Sequence, residues 1–101
     1  MKVVFIGAVQ FSSDALLQTI DSSAQVVGVC TLSESKFNAD HYDLYPLAKK
    51  YGVPCLHIQD VNSPTTLNWI QEKNPDVIFC FGWSRLLKNE LLNQARLGVV
   101  G

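Results

Sequence analysis

No cluster of lysine or arginine occurs anywhere in this chain, whose eight basic and nine acidic residues leave a net charge of −1. Nucleic-acid backbones are held by clustered positive charge, so this segment alone is not built to grip them. Long apolar runs are missing too. Nothing approaches the ~20 consecutive apolar residues of a membrane span, and the sequence predicts no membrane partner. The run after Met1-Lys2 is only Val3-Val4-Phe5-Ile6. A signal-peptide core needs about 7 to 15 apolar residues, so this run reads as a first strand. Cys30, Cys55 and Cys80 form no C-x-x-C pair, and each lies in or beside an apolar run. They read as reduced core thiols of a cytoplasmic protein, with no metal or redox role. His41 and His57 stand far from any cysteine pair, which excludes a structural zinc site.

Glycine is scarce where a phosphate loop would want it. The first strand-to-helix turn reads Gly7-Ala8-Val9-Gln10-Phe11-Ser12. A dinucleotide fingerprint needs glycine at the first, third and sixth positions, and Val9 and Ser12 occupy the last two. No P-loop motif is present. A receiver domain is disfavoured because Gly7-Ala8 replaces the acidic residues expected after the first strand. Neither histidine has a serine or cysteine nucleophile at a recognisable spacing, so both are read as structural.

What is present is an alternation of buried-strand runs and helical spacings. The runs are Val3–Ile6, residues 26–31, residues 53–56, residues 77–81 and residues 98–101. Between them, Ser12 or Ser13 can cap a helix with Ala15, Leu16, Leu17 and Ile20 inside. A second helix spans residues 45–51 and ends at Gly52, and Ser63-Pro64 starts a third that closes at Asn74-Pro75. A short fourth lies near residues 88–94. Pro54 places the third strand towards an edge. Strands apolar throughout, each followed by a helix, predict an α/β fold: a parallel sheet of about five strands with helices on both faces, Rossmann-like.

Ligands of such sheets sit at the carboxyl ends of the strands. Two stretches qualify. After the second strand, residues 32–43 carry Glu34, Asp40 and Asp43 against Lys36, a local excess of negative charge. After the fourth, the apolar run breaks at Gly82 into Trp83-Ser84-Arg85-Leu86-Leu87. Phe79 and Phe81 read as core. Trp83 either caps the sheet end or borders a planar, mostly apolar ligand whose polar edge is read by backbone groups.

Several pieces, in order along the whole chain, resemble the folate-dependent formyltransferases, a family that includes methionyl-tRNA formyltransferase and the sugar N-formyltransferases. They are Val4-Phe5-Ile6-Gly7 with Phe11-Ser12, Gly52-Val53-Pro54, Asn62-Ser63-Pro64, Pro75-Asp76-Val77-Ile78-Phe79, Leu86-Leu87 and Leu97-Gly98-Val99-Val100. The resemblance implies a doubly wound N-terminal domain that takes formyl-tetrahydrofolate as donor and passes its formyl group to an amine. It implies a pterin pocket formed by Phe81, Gly82, Trp83, Ser84, Arg85, Leu86 and Leu87, largely through backbone hydrogen bonds. It places the acceptor loop at residues 32–43, whose negative charge suits a nucleotide-linked amino sugar better than tRNA.

The family's catalytic Asn, His and Asp would begin at Gly101 and continue past it. No residue here fills those positions, so no catalytic residue is assigned and the fragment is expected to be inactive. Residues 1–101 are thus expected to be an incomplete N-terminal α/β domain, poorly stable or self-associating through exposed sheet surface. The alternative is a complete, non-catalytic α/β module that binds a small ligand or a partner.

Overall fold

A computed structural model describes residues 1–33, 41–83 and 87–101. Along these residues, β1 (Lys2–Ile6), α1 (Gln10–Asp21), β2 (Gln25–Thr31), α2 (Tyr45–Lys50), β3 (Cys55–His57), α3 (Pro64–Lys73), β4 (Val77–Cys80), α4 (Asn89–Leu92) and β5 (Val99–Val100) alternate without exception. The five strands form one sheet in the order β3-β2-β1-β4-β5, and every pairing is parallel. This is the α/β architecture expected from the uninterrupted apolar strands.

Although the strands are apolar throughout, their side chains divide strictly between two faces. Phe5, Val29, Phe79 and Phe81 face α1 and α2, where they meet Leu16, Leu44 and Ala48. Val4, Ile6, Cys30 and Ile78 face α3 and α4, against Ile70, Leu91 and Ala95. The inner strands β1, β2 and β4 are therefore packed on both faces, which is why none of them shows polar alternation. Trp69 of α3 lies directly on β2, where a Cβ at Gly28 would stand 2.7 Å from its Cη2 atom. Beside α1 the cover is incomplete. An open groove of about 370 Å3 is lined by Phe11, Ala15, Phe79 and Phe81 among others.

Some boundaries differ from the sequence reading, each for a local reason. Helix α1 starts at Gln10 with Val9 as N-cap, before the two serines expected to cap it. Ser12 instead sits in the first turn and accepts the Val9 N–H at 3.2 Å through its hydroxyl. Strand β3 runs two residues later than expected because Pro54 has no N–H to give; its carbonyl accepts Val29 N–H at 2.9 Å, and pairing proper begins at Cys55. Ser63 does cap α3, accepting Thr66 N–H at 3.3 Å, with Pro64 in the first turn and Asn74 left-handed (φ 49°) at the other end.

Asp76 explains part of the Pro75-Asp76 motif. Its N–H donates to Lys2 O, its carbonyl accepts Leu97 N–H, and its carboxylate accepts Lys2 N–H at 2.8 Å, so one residue aligns the starts of β1, β4 and β5. The Lys2 hydrogen bond, helped by the Arg96 guanidinium at 3.4 Å, holds this carboxyl below its usual range. A depressed folded-state pKa stabilises the fold above the ordinary aspartate pKa of about 3.9, and the contribution fades as pH falls through the folded value. Wild type should therefore melt above Asp76→Asn at pH 7, with the gap closing below about pH 4; thermal melts from pH 7 to 2 measure it.

Candidate functional site

The order of connections reverses between β1 and β4. Chain progression runs leftward through β2 and β3, then crosses back to β4 and β5. The crevice at the carboxyl ends of β1 and β4 is where open α/β sheets take ligands. It is bordered by the turn after β1, residues 7–9, and by the segment after β4, which begins at Phe81.

The described part of that segment is fixed at both ends. Phe81 N–H donates to Ile6 O at 3.0 Å, and Gly82 O accepts Ala8 N–H at 3.2 Å. The Ser12 hydroxyl donates to Phe81 O at 2.7 Å. At the far end, Lys88 N–H donates to Asn62 Oδ1 at 2.8 Å, which gives the Asn62-Ser63-Pro64 motif a role at this site. Gly82 turns the chain with φ 75° against Ser12 and Val9, a conformation and a clearance that suit only glycine.

Trp83 lies half-buried against the cluster formed by α3 and α4, beside Leu87 in the same apolar layer. Its indole Nε1 is buried and has no acceptor among the described residues. A buried N–H without an acceptor costs about 1–3 kcal/mol. Of the expected pterin-loop residues, Phe81, Gly82, Trp83 and Leu87 are thus at the crevice or packed beside it. Ser84, Arg85 and Leu86 lie outside the described residues, as do residues 34–40 of the expected acceptor loop.

The two ends of that acceptor loop are described. His41 pairs with Val9 in an antiparallel bridge, and its Nε2 lies 2.8 Å from Leu32 O. Tyr42 N–H donates to Ala8 O at 2.9 Å. Asp43 receives His57 Nε2 at 3.0 Å and Tyr45 N–H at 2.9 Å, and the Tyr45 and His57 rings stack with centroids 5.0 Å apart. Both imidazoles therefore have partners that hold them in place. The Asp43–His57 pair was not legible in the sequence: fourteen residues separate the two, and only the β2–β3 pairing brings them together.

Burial, reinforced by the charge of Cys55, raises the Cys30 thiol far above its usual pKa. Burial with the Asp43 carboxylate pushes Cys55 up to about 12, and burial alone pushes Cys80 up to about 11. All three remain protonated thiols at neutral pH; Cys30 is buried as the core reading expected, whereas Cys55 and Cys80 are half-buried. No group of three metal-ligating side chains occurs among the described residues, and no helix there is long and apolar enough to cross a membrane.

No family model matches the chain. It is similar to methionyl-tRNA formyltransferases, with 24% identity over 102 residues to that of Thermotoga neapolitana, 28% over 103 to that of Kosmotoga olearia and 26% over 104 to that of Geobacter metallireducens. These alignments take in 97%, 97% and 99% of this chain but 33% of each relative, so the chain spans about a third of the length of the curated relatives it matches. Two solved structures share its fold. Glycinamide ribonucleotide transformylase 1 from Symbiobacterium toebii superposes with a TM-score of 0.69 at 19% identity, over 98% of this chain and 49% of that one. Phosphoribosylglycinamide formyltransferase from Anaplasma phagocytophilum gives 0.70 at 17% identity, over 98% and 47%. Sequence and fold agree: the chain resembles the N-terminal part of the folate-dependent formyltransferases and shares the fold of two solved formyltransferases.

Proposed function

We propose that this chain is the donor-binding part of an enzyme that moves a formyl group from formyl-tetrahydrofolate to an amine. The observation that carries this reading is the segment after β4, pinned by Phe81 and Gly82 at one end and by Lys88 at the other. The hydrogen bonds fix the backbone of Phe81, Gly82 and Lys88, and fixed backbone groups are what recognition of a flat heterocycle's polar edge requires. Phe81, Gly82, Trp83, Ser84, Arg85, Leu86 and Leu87 form the pterin contact. The buried indole N–H of Trp83 fits such a ligand, because an acceptor on its edge would satisfy a donor that has no partner among the described residues.

Formyl-tetrahydrofolate supplies an activated one-carbon carbonyl. Transfer then needs a donor to the oxyanion of the tetrahedral intermediate and a base to take the amine proton. Among the described residues, neither histidine is free to be that base: His41 is engaged with Leu32 O and His57 with Asp43. The role we assign to the chain by itself is donor binding. For the acceptor we favour a small amine, an amino sugar on a nucleotide, over tRNA, because residues 32–43 carry three carboxylates and one lysine. The test is a calorimetric titration with a stable formyl-tetrahydrofolate analogue, in which Trp83→Ala should weaken binding about tenfold, the worth of one buried aromatic contact with its hydrogen bond.

A further inference from the structure

Ser12 is fully buried although it is polar, and its hydroxyl does two things at once. It accepts Val9 N–H at 3.2 Å, which shapes the turn after β1, and it donates to Phe81 O at 2.7 Å, which crosses to the exit of β4. Next to it, the peptide of Ala8 is bonded on both sides. Its N–H donates to Gly82 O at 3.2 Å, and its carbonyl accepts Tyr42 N–H at 2.9 Å. The neighbouring residue, Val9, bridges to His41.

We infer that Ser12 is a positioning residue: through the turn at residues 7–9 it ties the donor loop after β4 to Tyr42, near the end of the acceptor loop at residues 32–43, so that each is felt by the other. The assignment of those two loops rests on the proposed function; the mechanical link does not. In many doubly wound proteins the donors of this first turn are left open for a phosphate. Here the Ser12 hydroxyl and the Ala8 N–H are spent on the carbonyls of Phe81 and Gly82. Gly7 and Gly82 keep the contact tight, since a Cβ on Gly7 would stand 2.7 Å from Ser12 Oγ and one on Gly82 would overlap the same atom. Such close packing leaves the turn few ways to move without carrying both loops with it. If ligand at one loop restrains the turn, the other loop is restrained too, and the coupling is reciprocal.

Amide hydrogen exchange on the 101-residue chain tests the link without any ligand. Ser12→Ala should speed exchange at the Ala8 and Tyr42 amides by about tenfold, the loss of one buried hydrogen bond, while amides of Phe5 and Val29 in the sheet keep their rates. Ser13→Ala is the control, because among the described residues the Ser13 hydroxyl bonds only within the helix turn, donating to Gln10 O at 2.7 Å and accepting Gln10 Nε2 at 3.5 Å; it should leave Ala8 and Tyr42 at their wild-type rates. If alanine at position 12 unfolds the chain, Ser12→Cys keeps a donor at the γ position, bulkier and weaker, and should show the same pattern at smaller amplitude. Unchanged Ala8 and Tyr42 exchange in a folded Ser12 variant overturns the inference, as does equal acceleration by Ser13→Ala. Adding the formyl-tetrahydrofolate analogue should protect Tyr42 in wild type and in Ser13→Ala, but not in Ser12→Ala. Failure of wild type to bind that analogue counts against the folate reading, whereas the ligand-free comparison still decides on the link.

Discussion

Gly82→Ala should lower the free energy of unfolding by about 2–4 kcal/mol, among the largest effects of any single methyl added to this chain. Two costs combine. The residue is left-handed, at φ 75°, where an L side chain is strained by roughly 1–2 kcal/mol. A Cβ there would also overlap Ser12 Oγ and Val9 Cγ2, neither of which can retreat, because Ser12 is fully buried and bonded across to Phe81. Gly52→Ala separates these costs. Gly52 has a similar φ of 70° but nothing within 4 Å of an added Cβ, so it should lose only about 1 kcal/mol. Urea unfolding of the two variants measures the difference; equal losses would mean that the packing at Gly82 contributes nothing.

Phe5→Ala should cost about 3–5 kcal/mol, a large share of the 5–15 kcal/mol by which domains are usually stable. Phe5 is fully buried in the central strand, and its ring lies 5.9 Å from that of Phe81 over the layer formed with Leu16, Val29 and Leu44. The cavity left by truncation cannot close, since the sheet holds Phe5 between β2 and β4 on both sides. Phe11 is an internal reference. It is 64% exposed, and Phe11→Ala should stay within about 0.5 kcal/mol of wild type. A loss at Phe11 comparable to that at Phe5 would show that the open groove beside α1 is covered in solution.

The architecture was legible because its signals are local. Five apolar runs, the Ser63-Pro64 start, Gly52 and Asn74 each declare a boundary within a few residues, and the structure follows them closely. Ser12 or Ser13 reads as a helix cap; Ser12 does serve the start of α1 by accepting Val9 N–H, but it is also a cross-link, because its second partner, Phe81 O, stands 69 residues away. Sequence spacing carries no trace of such a pair. The role of Gly28 is illegible in the sequence for the same reason: only the packing of Trp69 onto β2 gives its missing side chain a purpose. At the candidate site the sequence marked the segment after β4 by its break at Gly82. It did not show that the turn after β1 closes on that segment, since that contact depends on the β1–β4 pairing.

That pairing sets the crevice in which the donor is proposed to bind, and calorimetric titration of the chain with a stable formyl-tetrahydrofolate analogue, wild type beside Trp83→Ala, tests it most directly. Saturable binding that weakens about tenfold in a folded Trp83→Ala variant is the result expected if the segment after β4 is the pterin contact. A folded wild-type chain that takes up no analogue, or a Trp83→Ala variant that binds as well as wild type, would contradict it.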